Sequence, residues 1–198
     1  MNGMNRISVF CGSSRGNDGI FEQQAFRLGE TLASRNIGLV YGGTNIGLMN
    51  AVADGALSRG GRVTGVLPRF IRDKGIAHPN LTELVLVDTM HERKTKMHEL
   101  SDGIIALPGG FGTMEEFFEM LTWGQLGLHR KPSGILNING FYDPLIALAS
   151  AMKANGFLKE SSRQMLLISD NIDTLIDMME DYTAPAVDKW SVSRDLQA

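Results

Sequence analysis

Gly103-Ile104-Ile105-Ala106-Leu107-Pro108-Gly109-Gly110-Phe111-Gly112-Thr113-Met114-Glu115-Glu116 joins three kinds of signal in one stretch. The apolar run Gly103–Leu107 reads as a buried strand. A proline and three glycines then break it. From Thr113 to Gln125 the apolar spacing predicts a helix. Strand, glycine turn and helix in this order are the unit of an α/β sheet.

The same unit recurs on either side. Strands are expected at Ile7–Phe10, Ile37–Tyr41, Arg62–Leu67, Leu84–Val87, Gly134–Asn137 and Met165–Ile168. Helices are expected at Phe21–Ser34, Leu48–Ser58, Thr89–Leu100, Asp143–Ala154 and about Asn171–Glu180. Residues 68–82, which hold Pro68 and Pro79, read as a connecting loop or short helix. Sustained alternation implies parallel strands with crossover helices. The expectation is a doubly wound α/β sheet of about seven strands with helices on both faces. A TIM barrel needs eight units and roughly 250 residues, more than the 198 here. One α/β domain is expected over residues 1–182, with 183–198 as a partly disordered tail that could dock through Trp190.

Composition excludes several function classes. Net charge is −3, with no long Lys/Arg run, so a general nucleic-acid binder is not expected. Cys11 is the sole cysteine and has no internal partner, which suits a reducing compartment. Residues 1–6 lack the apolar core of a signal peptide, and no apolar run approaches the ~20 residues of a membrane span. A cytoplasmic protein with no membrane partner is expected. His78, His91, His98 and His129 form no metal-ligand spacing, so no metal is expected.

Glycine is in excess, 23 residues against the ~7% that is typical. Nine of them fall in three strand-to-helix turns: Gly12, Gly16 and Gly19 after strand one, Gly42, Gly43 and Gly47 after strand two, and Gly109, Gly110 and Gly112 after strand five. In an open parallel sheet, ligands bind at the carboxyl ends of the strands. Helix N-termini there offer free N–H groups and a positive dipole end to an anion. Ser13, Ser14, Thr44 and Thr113 add hydroxyls. These turns point to a phosphate-bearing ligand, with Gly12, Ser13, Gly43, Thr44, Gly109, Gly110, Gly112 and Thr113 as candidate contacts. No G-x-x-x-x-G-K-[ST] is present. The nearest G-x-G-x-x-G, at Gly110-Phe111-Gly112-Thr113-Met114-Glu115, ends in a glutamate that would repel a pyrophosphate.

Met90-His91-Glu92-Arg93-Lys94 opens the helix after strand four, and Glu115-Glu116 lies just past the third glycine turn. With strands four and five as neighbours, Arg93 and Lys94 would meet Glu115 and Glu116. A carboxylate beside phosphate-binding turns suits N-glycosidic cleavage, because it can stabilise an oxocarbenium-like sugar and orient water.

Pro108–Glu116 matches PGGxGTxxE. With Met90-His91-Glu92-Arg93-Lys94 before it, the sequence resembles the Lonely Guy family of cytokinin riboside 5′-monophosphate phosphoribohydrolases, from about Arg6 to Met179. The resemblance implies a Rossmann-like fold, hydrolysis of AMP or N6-modified AMP to free base and ribose 5-phosphate, no cofactor, and a homodimer or larger oligomer. It puts Arg93 and Glu116 on the family's catalytic pair. It puts Lys94, Gly110 to Glu115 and Thr122 on nucleotide-binding positions. Gly75, Thr44 and Asn50 depart from the pattern and bear on substrate preference more than on reaction type.

Some relatives carry the label "possible lysine decarboxylase". Nothing around Lys94 singles it out as a Schiff-base lysine. A molybdenum-cofactor carrier on the same fold is the non-catalytic alternative, to which the glycine turns alone would be suited. Cys11 reads as a packed residue. Trp123, Leu126 and Leu128 read as core or as a dimer face.

Overall fold

The computed structural model describes residues 3–186. The chain alternates β1 (Arg6–Phe10), α1 (Gly19–Ser34), β2 (Gly38–Tyr41), α2 (Gly47–Ser58), β3 (Val63–Pro68), α3 (Arg69–Arg72), β4 (Glu83–Val87), α4 (Met90–Glu99), β5 (Gly103–Ala106) and α5 (Phe111–Gln125). It continues through β6 (Ser133–Leu136), a 3-10 turn (Ile138–Gly140), α6 (Asp143–Ala154), α7 (Glu160–Arg163), β7 (Leu166–Ser169) and α8 (Ile172–Glu180). The short α7 was not expected, because a single turn carries no readable period. Residues 183–186 are irregular, and the rest of the proposed tail, Trp190 included, lies outside the described residues.

The strands form one sheet in the order β4-β3-β2-β1-β5-β6-β7, with every pairing parallel. This corrects the neighbourhood expected for strands four and five: β3, β2 and β1 stand between them. Strand order reverses between β1 and β5, so a crevice opens there. The three glycine turns follow β2, β1 and β5, which are adjacent in the sheet.

Each face of the sheet carries its own core, because side chains alternate along a strand. On one face Ile7, Val9, Leu39 and Ile105 pack with Leu28 and Leu32 of α1, Val52 of α2, and Leu175 and Ile176 of α8. On the other, Phe10, Val40, Ile104 and Ile135 pack with Met97 of α4, Phe117 and Met120 of α5, and Ala149 of α6. Ser8 points to that second face, where its hydroxyl donates to the Met97 carbonyl at 3.0 Å. Asp18, Thr89 and Asn171 cap the starts of α1, α4 and α8 through their side chains.

Not all the surplus glycine serves a ligand. Gly29 of α1 and Gly55 of α2 let the two helices touch backbone to backbone. A Cβ on Gly29 would lie 2.1 Å from the Val52 carbonyl oxygen, and one on Gly55 would lie 2.0 Å from that of Phe26. No side-chain rotation relieves either clash. The ~1 kcal/mol that alanine gains over glycine in a helix is outweighed by the cost of parting the helices. Gly55→Ala is therefore expected to cost about 3 kcal/mol and lower Tm by roughly 6–12 °C, read by thermal unfolding.

Candidate functional site

A cleft of about 410 Å³ opens at the carboxyl ends of β2, β1 and β5. Cys11, Gly12 and Ser13 enter it from the first glycine turn, Thr44, Ile46 and Met49 from the second, and Gly110 to Thr113 with Glu116 from the third. Met90 and Arg93 reach it from α4, and Ile71 and Ile76 from the β3–β4 connection.

The third turn leaves an anion site at the start of α5. Gly110 is the N-cap residue, and no side chain caps the helix. The first N–H groups of α5 thus face the cleft without an intrahelical acceptor. A Cβ on Gly110 or Gly112 would meet nothing within 4 Å, so the backbone there is open to a ligand. Gly47, at φ +58, begins α2 hard against the Ser13 backbone and seats the first turn on the second.

Arg93 and Glu116 form the charged centre. Arg93 Nη1 lies 3.4 Å from Glu116 Oε1, and the two residues are only 8% and 7% exposed. Arg93 Nε is buried and has no hydrogen-bond partner among the described residues. Arg93 also lines the cleft, so its guanidinium can meet an anionic or polar ligand there. The strand order leaves β4 far from β5, yet the pair forms, because the first turn of α4 lies beneath the β2 turn. A Cβ on Gly42 would sit 1.9 Å from Arg93 Nη2. Burial pushes the Glu116 carboxyl above its usual range, Arg93 pulls it down, and Glu115 pushes it up again. The net rise shows desolvation outweighing the ion pair. Burial also pushes the Cys11 thiol far up, with Glu116 adding to it, so this cysteine is an inert packed group.

Of the predicted contacts, Gly12, Ser13, Thr44, Arg93, Gly110, Gly112, Thr113 and Glu116 line the cleft. Gly43 and Gly109 stand behind it. Gly43 passes its carbonyl to the His78 N–H, and a Cβ on Gly109 would strike the Thr113 hydroxyl at 2.1 Å. Lys94 and Glu115 pair with each other outside the lining, and Lys94 also meets Glu119 at 3.0 Å. Burial lowers the Lys94 ammonium, but its hydrogen bonds to Glu115 and Glu119 outweigh that and leave it raised. Thr122 lies further along α5, in an apolar groove with Phe118, Met152 and Leu158. Sequence reading did not single out the lining residues Ile46, Met49, Ile71, Ile76 and Met90 as contacts, and Gly42, counted there among the turn glycines, makes room for Arg93 instead of lining the cleft.

Among the described residues, no cluster of His, Cys, Asp or Glu could hold a metal ion, and no helix is long and apolar enough to cross a membrane. A pyridoxal phosphate does not fit. Among the described residues no lysine lines the cleft, and Lys94 is held protonated between two carboxylates.

A family model described as "Possible lysine decarboxylase" matches residues 49–179. The chain is 48% identical over 178 residues to the probable cytokinin riboside 5′-monophosphate phosphoribohydrolase LOGL1 of Oryza sativa subsp. japonica, covering 90% of this chain and 80% of that one. It is 40% identical over 197 residues to cytokinin riboside 5′-monophosphate phosphoribohydrolase LOG5 of Arabidopsis thaliana, covering 97% and 86%. Among solved structures, the molybdenum cofactor binding protein of Rippkaea orientalis superposes with a TM-score of 0.68 at 21% identity, over 90% of this chain and 96% of that one. The carrier protein MCP of Chlamydomonas reinhardtii does so at 0.64 and 17%, over 87% and 93%. At such identities the structures speak for the Rossmann-like fold alone, whereas the sequence relatives speak for descent. The chain belongs to the Lonely Guy family, the cytokinin riboside 5′-monophosphate phosphoribohydrolases that share the "Possible lysine decarboxylase" family model.

Proposed function

We propose that this protein hydrolyses the N-glycosidic bond of AMP or an N6-modified AMP, giving free base and ribose 5-phosphate. The observation that carries the reading is the buried Arg93–Glu116 pair facing the uncapped start of α5. The 5′-phosphate sits on the α5 N–H groups, with the Ser13 and Thr113 hydroxyls beside it. Arg93, which lines the cleft, holds the nucleotide through its guanidinium. As the C1′–N bond lengthens, positive charge grows on the ribose, and the Glu116 carboxylate stabilises it. Glu116 also orients the water that attacks C1′. The departing base takes up the proton, and the water supplies the new C1′ hydroxyl. Charge stabilisation and positioning suffice for this chemistry, with no cofactor.

The reading extends to a cytoplasmic homodimer. Cys11 is a free thiol, in keeping with a reducing compartment. Phe118, Leu148, Met152 and Leu128 leave exposed apolar surface on and beside α5 and α6, of the kind a second copy would cover. Trp123 packs against the core, so the expected dimer face rests on Leu128 and these neighbours. The carrier alternative shares the fold. A carrier has no use for a carboxylate buried against the sugar, which favours the hydrolase.

The test is incubation with AMP and with N6-isopentenyl-AMP, following base and ribose 5-phosphate by chromatography. One equivalent of each product per nucleotide consumed is expected. A nucleotide that binds tightly and is recovered intact from both reactions would overturn the hydrolase in favour of the carrier.

A further inference from the structure

Residues 69–77 supply a wall of the cleft that no strand or long helix provides. Ile71 and Ile76 face the cleft, while Phe70 is 50% exposed and the run Arg72 to Gly75 lies in solvent. A Cβ on Gly75 would meet nothing within 4 Å. Little packing holds this segment, so its position depends on its anchors.

At its start Arg69 pairs with Asp88 at 3.0 Å, and at its other end the anchors converge on His78. The backbone of the segment joins the second glycine turn, through Asn45 N–H to the Ile76 carbonyl at 2.9 Å and His78 N–H to the Gly43 carbonyl at 3.0 Å. The His78 side chain is only 2% exposed. Its Nδ1 accepts from the Asn80 N–H at 3.2 Å, which leaves Nε2 as the donor, 3.1 Å from Asp54 Oδ1. The other Asp54 oxygen accepts from Asn50 Nδ2 at 2.6 Å. Asp54 and Asn50 belong to α2, which also carries Met49 into the cleft. A buried ring thus ties the wall to the helix behind the second turn.

The lining carries two kinds of group. Ser13, Thr113, Arg93 and Glu116, with the α5 start, are polar and suit phosphate and ribose, whereas Ile46, Met49, Ile71 and Ile76 are apolar and suit the flat face of a base.

We propose that His78, through Asp54, is a positioning residue that sets Ile71 and Ile76 against the base, so that this clamp governs base recognition and leaves the phosphate contacts untouched. The inference rests on the nucleotide reading above. His78→Leu and Asp54→Ala each remove the side-chain tie. His78→Gln keeps an amide donor able to reach Asp54. In the full-length protein, His78→Leu and Asp54→Ala should raise KM for AMP about tenfold with kcat changed under about threefold, and His78→Gln should recover most of the loss. Inhibition by ribose 5-phosphate, which has no base, should keep its Ki in all three. Backbone amides of 69–77 should exchange with deuterium faster in His78→Leu and Asp54→Ala than in the parent. Ki rising in step with KM in Asp54→Ala, or exchange over 69–77 unchanged in that variant, would overturn the clamp. If the parent releases no base, the hydrolase reading fails by itself. AMP and ribose 5-phosphate are then compared by equilibrium binding, and weakening of AMP alone still supports the clamp.

Discussion

Glu116→Gln should lower kcat for base release about 10³-fold, with KM changed under about threefold. Glutamine keeps the shape and an oxygen for Arg93 but carries no charge. What is lost is the attraction between a carboxylate and the cationic sugar of the transition state, about 4 kcal/mol at that fold-change. Ground-state binding rests on the α5 N–H groups and Arg93, which the substitution leaves in place. In the parent, kcat should fall as pH drops through the Glu116 titration. Burial raises that titration, so the acid limb lies above the usual carboxylate range. The residual activity of the variant should lack this limb.

The same substitution separates two energies in the folded protein. Breaking a buried ion pair by removing one charge usually destabilises, because the partner is left uncompensated. Here the raised Glu116 pKa indicates that the folded state holds the proton more tightly than the unfolded chain does. The stability Glu116 contributes is full below its unfolded pKa and is lost as pH rises through its folded pKa. At neutral pH the ionised group therefore costs stability, despite Arg93. Glu116→Gln should melt at or above the parent at pH 7, and the parent should gain on it as the pH is lowered. A variant melting well below the parent at pH 7 would show that the ion pair outweighs desolvation.

Most elements of the fold were legible because each strand is a short apolar run, and most are bounded by glycine, proline or asparagine. Ile7–Phe10 and Gly103–Leu107 announce themselves in this way. Strand order was not legible. Periodicity describes one element at a time, whereas the order depends on which side each crossover helix packs. The expected meeting of Arg93 with Glu116 occurs, but because the first turn of α4 tucks under the β2 turn, not because β4 borders β5. The partners of Lys94 left a trace that was not read. Glu115 and Glu119 are four apart on α5, a like-charge pair that calls for a cation between them. The His78–Asp54 contact left none, since tertiary packing joins two residues of ordinary type 24 positions apart. Gly29 and Gly55 looked like any glycine until the two helices were seen touching.

Gly42→Ala tests the least visible of these dependencies. Gly42 is absent from the residues the family resemblance singles out, yet its missing Cβ is where the Arg93 guanidinium lies. A methyl group there would stand 1.9 Å from Arg93 Nη2, 3.0 Å from its Cζ and 2.9 Å from Met49 Sδ. Gly42 is not among the residues with positive φ, so alanine brings no backbone strain and the effect passes through the displaced side chains. Arg93 has little room to yield, being buried against Glu116 and Met90. A shift of about 1 Å in a group that orients substrate can cost about 10²-fold in rate. Gly42→Ala is therefore expected to lower kcat/KM for AMP about 10²-fold, while overpacking of the flexible Met49 and Arg93 costs about 1–2 kcal/mol in stability. Arg93→Ala should lose activity at least as severely, and adding Gly42→Ala to it should change little further. Both substitutions remove the same guanidinium from the same place, so their effects should not add. Steady-state kinetics of the two single variants and the double variant decide the matter. Additive losses would show that Gly42 serves the site by some route other than Arg93.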